Sequence, residues 1–333
     1  MVRIAKAETT TLRPREEVAE LPYPSTSLWQ DAWQRLIRNK AAVVGMIIII
    51  LFVFIATFAP FLAPHNPLKI NDGLGYLPPA WVESSAAGVA GDSRFILGTD
   101  TIGRDVLSRV IYGARVSMVV GLTPVAIILV IGSAIGLLSG YAGGRMDNVL
   151  MRITDVFYAF PNLLLYVILM VTLRDTTLGR MFNGLFLLFV ALALVSWVGV
   201  ARLVRSSVLT LKGKEFIEAA RCLGASDKRI MTRHILPNSL SPLIVWMALA
   251  IPGMIIAEAI LGYLGLGLRP ASDPNAFFIT SWGSLMLEGQ SAINIQPYIL
   301  LVPSICVGLV VLAFTFLGDG LRDALDPRMR GSR

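Results

Sequence analysis

The 333-residue chain is 55% hydrophobic and only 15% charged, with a mean hydropathy of +0.69, which excludes an ordinary soluble globular domain and describes an integral membrane protein. Its net charge of +7 does not call for nucleic acid, because loops on the cytoplasmic side of a membrane are enriched in Lys and Arg. Two cysteines, Cys222 and Cys306, and two histidines, His65 and His234, give neither a disulfide framework nor an imidazole-based metal centre, so no metal site and no covalent catalytic residue is expected.

Residues 1–26 are polar, carry prolines at 14, 22 and 24, and lack the apolar core of a cleavable signal peptide, so they read as a loose tail ahead of an uncleaved anchor. Trp29, Trp33, Leu36 and Ile37 then recur at i, i+4, i+7 and i+8. That spacing suits an amphipathic helix at the bilayer surface or a plain extension of the first span.

Six spans are predicted, at about 41–63, 117–138, 156–173, 184–201, 243–266 and 298–317. The shortest, 18 residues, reaches about 27 Å at 1.5 Å per residue, close to the ~30 Å hydrocarbon core. Six spans put both termini on one side. With the N-terminus inside, 21 of the 29 Lys and Arg lie on that side and 8 on the other, so both termini are expected in the cytoplasm. The chain divides accordingly into a cytoplasmic tail with its amphipathic helix at 1–40, a first transmembrane helix at 41–63 and an external loop at 64–116. A transmembrane core follows at 117–318, with a cytoplasmic loop at 202–242, and a cytoplasmic tail at 319–333.

In the external loop, Val106, Leu107, Val110 and Ile111 form a helical stripe that Gly113 is expected to stop. It serves either as a cap on the bundle or as a surface for an external partner. Span two carries Gly132, Gly136 and Gly140, a face that lets another helix approach closely. Pro124, Pro161 and Pro252–Gly253 can kink or unwind spans two, three and five. Near span three, Arg152 and Asp155 are spaced for an i, i+3 ion pair, with Asp147 beside them. Glu258 lies deep in span five, and together with Pro252 and Gly253 is a candidate for the translocation path or its gate; a structural hydrogen bond is the other reading of Glu258.

The loop at 202–242 holds eight Lys and Arg, and burying them in lipid would cost on the order of 20 kcal/mol. It is water-facing. Phe216, Ala219, Ala220 and Leu223 fall on one face of a short helix whose two alanines permit close docking, Gly224 is placed for a left-handed C-terminal turn, and Ser226 caps a second helix from Asp227 towards Pro237.

The run EAA (218–220), three residues, Gly224, ten residues and ILP (235–237) resembles the EAA loop of permease subunits in bacterial and archaeal ABC importers. GTDTIGRDVLSRVIYGARVSMVVG before span two, FPNLLL at 160–165, EAILGYLGLG at 258–267 and GDGLRDALDPR at 318–328 are similar to the dipeptide, oligopeptide and nickel branch, and within it to the second (C-type) permease subunit. The likeness runs over about 29–330. Two departures lie on the external side: Gly262 stands where the family often has Ser, and 269–280 form a longer, Pro-containing loop.

The resemblance implies an all-α integral membrane protein with an importer-type (MetI-like) core in the inner membrane. It implies that Glu215, Phe216, Glu218, Ala219, Ala220, Leu223, Gly224, Arg229 and Pro237 form a coupling helix that docks on an ATPase subunit. The chain has no GxxxxGK[ST] phosphate loop, so ATP and Mg would sit on two cytoplasmic ATP-binding partners and the chain would bind no cofactor itself. A second homologous permease, an external solute-binding protein and membrane lipid complete the expected partners, and a peptide the expected cargo, with nickel, glutathione or oligosaccharide as alternatives within the family. The rival classes are a self-powered secondary transporter or channel, for which related halves with coupling carboxylates are not evident, and an intramembrane hydrolase, for which no paired acids or spanning His occur.

Overall fold

The computed structural model describes residues 28–83, 88–271, 273 and 276–326. The polar N-terminal tail at 1–26 and the end of the C-terminal tail lie outside them. The described residues are organised by ten principal helices: α1 (Leu28–Leu36), α2 (Lys40–Thr57), α3 (Val106–Ala142), α4 (Gly144–Ala159), α5 (Asn162–Leu173), α6 (Leu185–Lys212), α7 (Glu215–Cys222), α8 (Leu240–Tyr263), α9 (Trp282–Ser291) and α10 (Tyr298–Leu325). Five helices are long and apolar enough to cross a membrane, and a sixth crossing results if α4 and α5 count as one span.

α1 is a separate helix rather than an extension of the first span. The chain turns at 37–39, and Asn39 caps α2 by accepting from the backbone N–H groups of Ala41 and Ala42 at 3.1 and 3.2 Å. Ala32 and Leu36 pack with Ala42 of α2 and Ala324 of α10, which leaves Trp29 and Trp33 facing outward. α2 is shorter than the expected 41–63, ending at Thr57 before a separate turn that contains Pro60 (Ala59–Leu62).

The centre of the bundle is the pair α3 and α6. Gly132, Gly136 and Gly140 present bare backbone to Val200, Val204 and Val208, all three fully buried. A side chain on Gly136 would begin 2.8 Å from the Val204 Cβ, so the two helices approach as closely as they do only because the stripe has no side chains.

Further helix boundaries differ from the sequence reading. Gly113 does not stop the external stripe, which continues into span two as one 37-residue helix of about 55 Å. Gly113 instead makes room for the indole of Trp282, whose Cδ1 lies 2.7 Å from where a Cβ would stand. The expected third span is broken: α4 and α5 meet at 85° around Phe160–Pro161. α5 alone spans only about 18 Å, short of the ~30 Å core. α6 and α10 run on past the expected ends at 201 and 317, to Lys212 and Leu325. Pro124 and Pro252 both sit inside helices that remain continuous across them.

α9 falls in what reads as an external loop. It is fixed by Trp282, which is buried, donates its indole N–H to the Val110 carbonyl at 3.0 Å and meets Phe52 edge-on with ring centres 5.5 Å apart. Gly262 lies against Gly283, with the Gly283 Cα 2.7 Å from a would-be Cβ, so the residue that departs from the family pattern is where α8 and α9 touch backbone to backbone.

Candidate coupling hairpin and path-facing helix

Between α6 and α8 the chain folds into a compact hairpin. α7 ends at a left-handed Gly224 (φ +79°), with the Leu223 and Gly224 N–H groups returning to Ala219 and Arg221 carbonyls and that of Ala225 to Ala220. The Ser226 hydroxyl accepts from the Arg229 N–H at 3.4 Å and starts the returning segment. That segment is not the plain α-helix expected: one turn at Asp227–Arg229 gives way to a π-helical stretch at Ile230–Ile235 before Leu236–Asn238.

The hairpin has two faces. Ile217, Ile230 and Ile235 are fully buried against the body of the chain and belong to its main apolar core. Of the expected docking face, Phe216, Ala219 and Leu223 point away and Ala220 is half-buried. Leu223 is 89% exposed and Phe216 44% exposed, and Glu215, Glu218, Arg229 and Pro237 are exposed as well. The sequence reading identified the outward face but missed the isoleucine anchor, whose signal was an apolar Ile217 off that face of the same helix.

A second missed residue is Tyr141, at the end of α3. Its hydroxyl donates to the Asp227 carboxylate at 2.5 Å, its carbonyl accepts from Lys212 Nζ at 2.6 Å, and the Arg221 guanidinium lies 5.8 Å from its ring centre. One residue, through its hydroxyl and its backbone carbonyl, thus ties the hairpin to the ends of both central helices. Nearby, Asp147 of α4 accepts two bonds from Arg205 of α6, at 2.6 and 2.7 Å, and a third from Ser139. Asp155 pairs with Arg202 at 2.8 Å rather than with Arg152 as expected, because α6 continues far enough to bring its own arginines alongside α4.

On α8 the three residues proposed for the path separate. Pro252 and Glu258 are buried, whereas Gly253 lies with Leu249, Ile256 and Ile260 on one exposed stripe at i, i+4, i+7 and i+11. Glu258 is fully buried between helices: the Ser117 hydroxyl of α3 is 3.4 Å from Oε2, and Oε1 has no partner among the described residues.

At the opposite end of the bundle, the GTDTIGRD stretch folds into a lock. Asp100 accepts from Arg104 at 2.6 Å and Arg109 at 2.5 Å, and both arginines also reach Glu288 on α9. Asp105 caps α3 by accepting from the Ser108 N–H at 3.0 Å.

Residues 132–331 match the family described as binding-protein-dependent transport system inner membrane component, and residues 27–79 match the N-terminal transmembrane domain of oligopeptide transport permease C. Among curated proteins, the chain is 38% identical over 315 residues to an oligopeptide transport system permease of Haemophilus influenzae, covering 95% of this chain and 93% of that one. It is 38% identical to a dipeptide transport system permease of Bacillus subtilis, covering 94% and 90%. It is 37% identical to a glutathione transport system permease of Pectobacterium atrosepticum, covering 91% and 92%. Among solved structures, a chain of an inward-facing methionine ABC transporter aligns with TM-score 0.49 at 18% identity, over 66% of this chain and 96% of that one.

Proposed function

The chain belongs to the family of binding-protein-dependent transport inner membrane components, and from that premise we propose that it is the membrane half of a peptide importer worked by another chain's ATP. It is a multi-pass permease subunit of the inner membrane. The cargo assignment, a dipeptide, oligopeptide or similarly sized solute, rests on what its relatives are named for, a glutathione permease among them.

In this reading the chain pairs with a second, homologous permease along the Leu249, Gly253, Ile256 and Ile260 stripe, and the two line one path. Two cytoplasmic ATP-binding subunits dock on the hairpin and carry ATP and Mg. An external solute-binding protein delivers the cargo at the far end, and the excess of Lys and Arg on the hairpin side supports a cytoplasmic position for it. Closure of the ATPase pair pushes α7. Its motion passes through the Ile217 anchor and the Tyr141 junction into α3 and α6, and the bundle opens towards the outside.

The observation that carries this reading is the two-faced hairpin: anchored by buried isoleucines on one side, while Leu223 and Phe216 stand in solvent on the other. Burying each of those side chains in a partner contributes about 1.5–3 kcal/mol, or roughly 10- to 100-fold in affinity. Leu223→Glu is therefore expected to lower recovery of the ATP-binding subunits with the tagged permease at least tenfold, without lowering permease yield. Full recovery with the double variant Phe216→Glu, Leu223→Glu contradicts the docking face.

A further inference from the structure

Among the described residues one membrane crossing is broken, at the 85° corner where α4 meets α5 around Phe160–Pro161. α5 ends at Leu173, directly before Arg174 and Asp175, and its 12 residues rise at most about 18 Å. With that end at the outer boundary of a ~30 Å hydrocarbon core, the corner stands at least about 12 Å short of the inner boundary. The break is at membrane depth.

The rest of the chain leaves this corner uncovered. Tyr158, Phe160, Pro161, Asn162, Leu163 and Leu164 are all exposed. The backbone N–H groups of Asn162, Leu163 and Leu164, and the Asn162 side chain, have no hydrogen-bond partner among the described residues. Non-helical backbone at membrane depth is tolerated only where protein buries it or water reaches it, so lipid is excluded here. A track of charged groups leads to the same place. Asp147 pairs with Arg205, and Asp155 with Arg202, whose guanidinium lies 4.3 Å from the centre of the exposed Tyr158 ring. Arg202 stands ten residues, about 15 Å, before the end of α6, and the side chains of Arg202 and Asp155 are 40% and 55% exposed. Lipid excludes such charges, and the cores of interfaces between chains are depleted in them, which leaves water as the medium they face.

We propose that the corner at Phe160–Leu164 is a wall of the aqueous path, and that Asn162 faces the passing cargo there. The proposal rests on the reading of this chain as an importer's permease subunit, and adds to it a wall distinct from the pairing stripe on α8. Its chemistry suits a peptide: the free amide donors match backbone carbonyl oxygens, and Phe160, Leu163 and Leu164 give apolar contact to side chains. Such a wall holds a solute loosely enough to release it, which conduction requires.

The test uses the whole importer in proteoliposomes, in a Cys222→Ser background that removes the exposed native thiol. Into it go Asn162→Cys, Leu163→Cys and, on an exposed apolar face of α10, Ile305→Cys. A charged methanethiosulfonate is supplied on both faces of the membrane, where it reacts with thiolates that water reaches. Mass spectrometry of peptides gives the labelling rate at each position, and uptake is measured before and after. Labelling at 162 is expected at least tenfold faster than at 305, with the adduct lowering uptake at least tenfold against the same variant unlabelled. Treated Ile305→Cys keeps the uptake of the treated background, and Leu163→Cys replaces Asn162→Cys if the latter does not assemble. Labelling at the corner no faster than at 305 places it under lipid or the second permease and overturns the proposal. Fast labelling with undiminished uptake places it in water outside the path and also overturns it. Uptake by the unlabelled background tests the permease reading separately.

Discussion

Glu258 shows how a single residue changes meaning once its surroundings are known. In the sequence it is a lone carboxylate deep in a span, equally compatible with a gate and with a structural bond. In the structure it joins α8 to Ser117 of α3, inside the chain's own packing. Gln keeps the shape and can still accept a hydrogen bond; Leu takes the acceptor away from the buried Ser117 hydroxyl. Glu258→Leu is therefore expected to cost about 1–3 kcal/mol and lower the melting temperature of the purified assembly by several degrees, with Glu258→Gln close to wild type. Equal stability of the Leu variant would show that the carboxylate does not serve as a tie. Tyr141 is the reverse case: an unremarkable tyrosine at the end of a span whose role depends on Lys212, Arg221 and Asp227, up to 86 residues away, and no local pattern reports such a meeting.

At the scale of elements, the best test is the α3–α6 seam. A side chain on Gly136 meets the Ala201 carbonyl at 2.5 Å and the Val204 Cβ at 2.8 Å, so Gly136→Leu must push the helices apart, at a cost of about 1–3 kcal/mol. Gly308, on an exposed face of α10, has nothing within 4 Å. Gly308→Leu is accordingly expected to be neutral or stabilising, since Leu is the better helix former. Thermal unfolding of the two variants separates close packing from helix propensity, and similar behaviour in both would contradict the seam.

The span centres were readable because long apolar runs have few alternatives in a membrane protein, and the Gly132, Gly136, Gly140 stripe was readable because its spacing matches the helix period. Helix ends were not, because contacts outside the lipid extend them: Trp282 on Gly113 carries α3 outward, and Arg202 and Arg205 on α4 carry α6 inward. α9 was hidden by Gly283 and Gly289, which lower its helical character, although Ser281 capping Ser284 N–H and the buried Trp282, Leu285 and Gly289 at i, i+3 and i+7 were its signal. The break at Pro161 was visible as a proline but not as an 85° turn, because a proline in a span can also leave the helix merely kinked.

At the scale of the whole molecule, the described residues form a packed bundle with a distinct side-chain cluster at each end. At one end Asp100, Arg104, Arg109 and Glu288 lock α3 to α9; at the other, the hairpin stands against the bundle through three isoleucines and the Tyr141 junction. Gly224 is the point on which this second part depends. Its φ of +79° is strained for a β-branched residue, although the space around it is open, so substitution alters the backbone of the turn without creating a clash in the bundle. The direct measurement is solute uptake and ATP hydrolysis in proteoliposomes containing the whole importer, with wild-type permease or Gly224→Val. The account predicts uptake reduced at least tenfold while the permease stays folded, either with hydrolysis continuing uncoupled or with the ATP-binding subunits lost; uptake at the wild-type rate would contradict a coupling role for the hairpin.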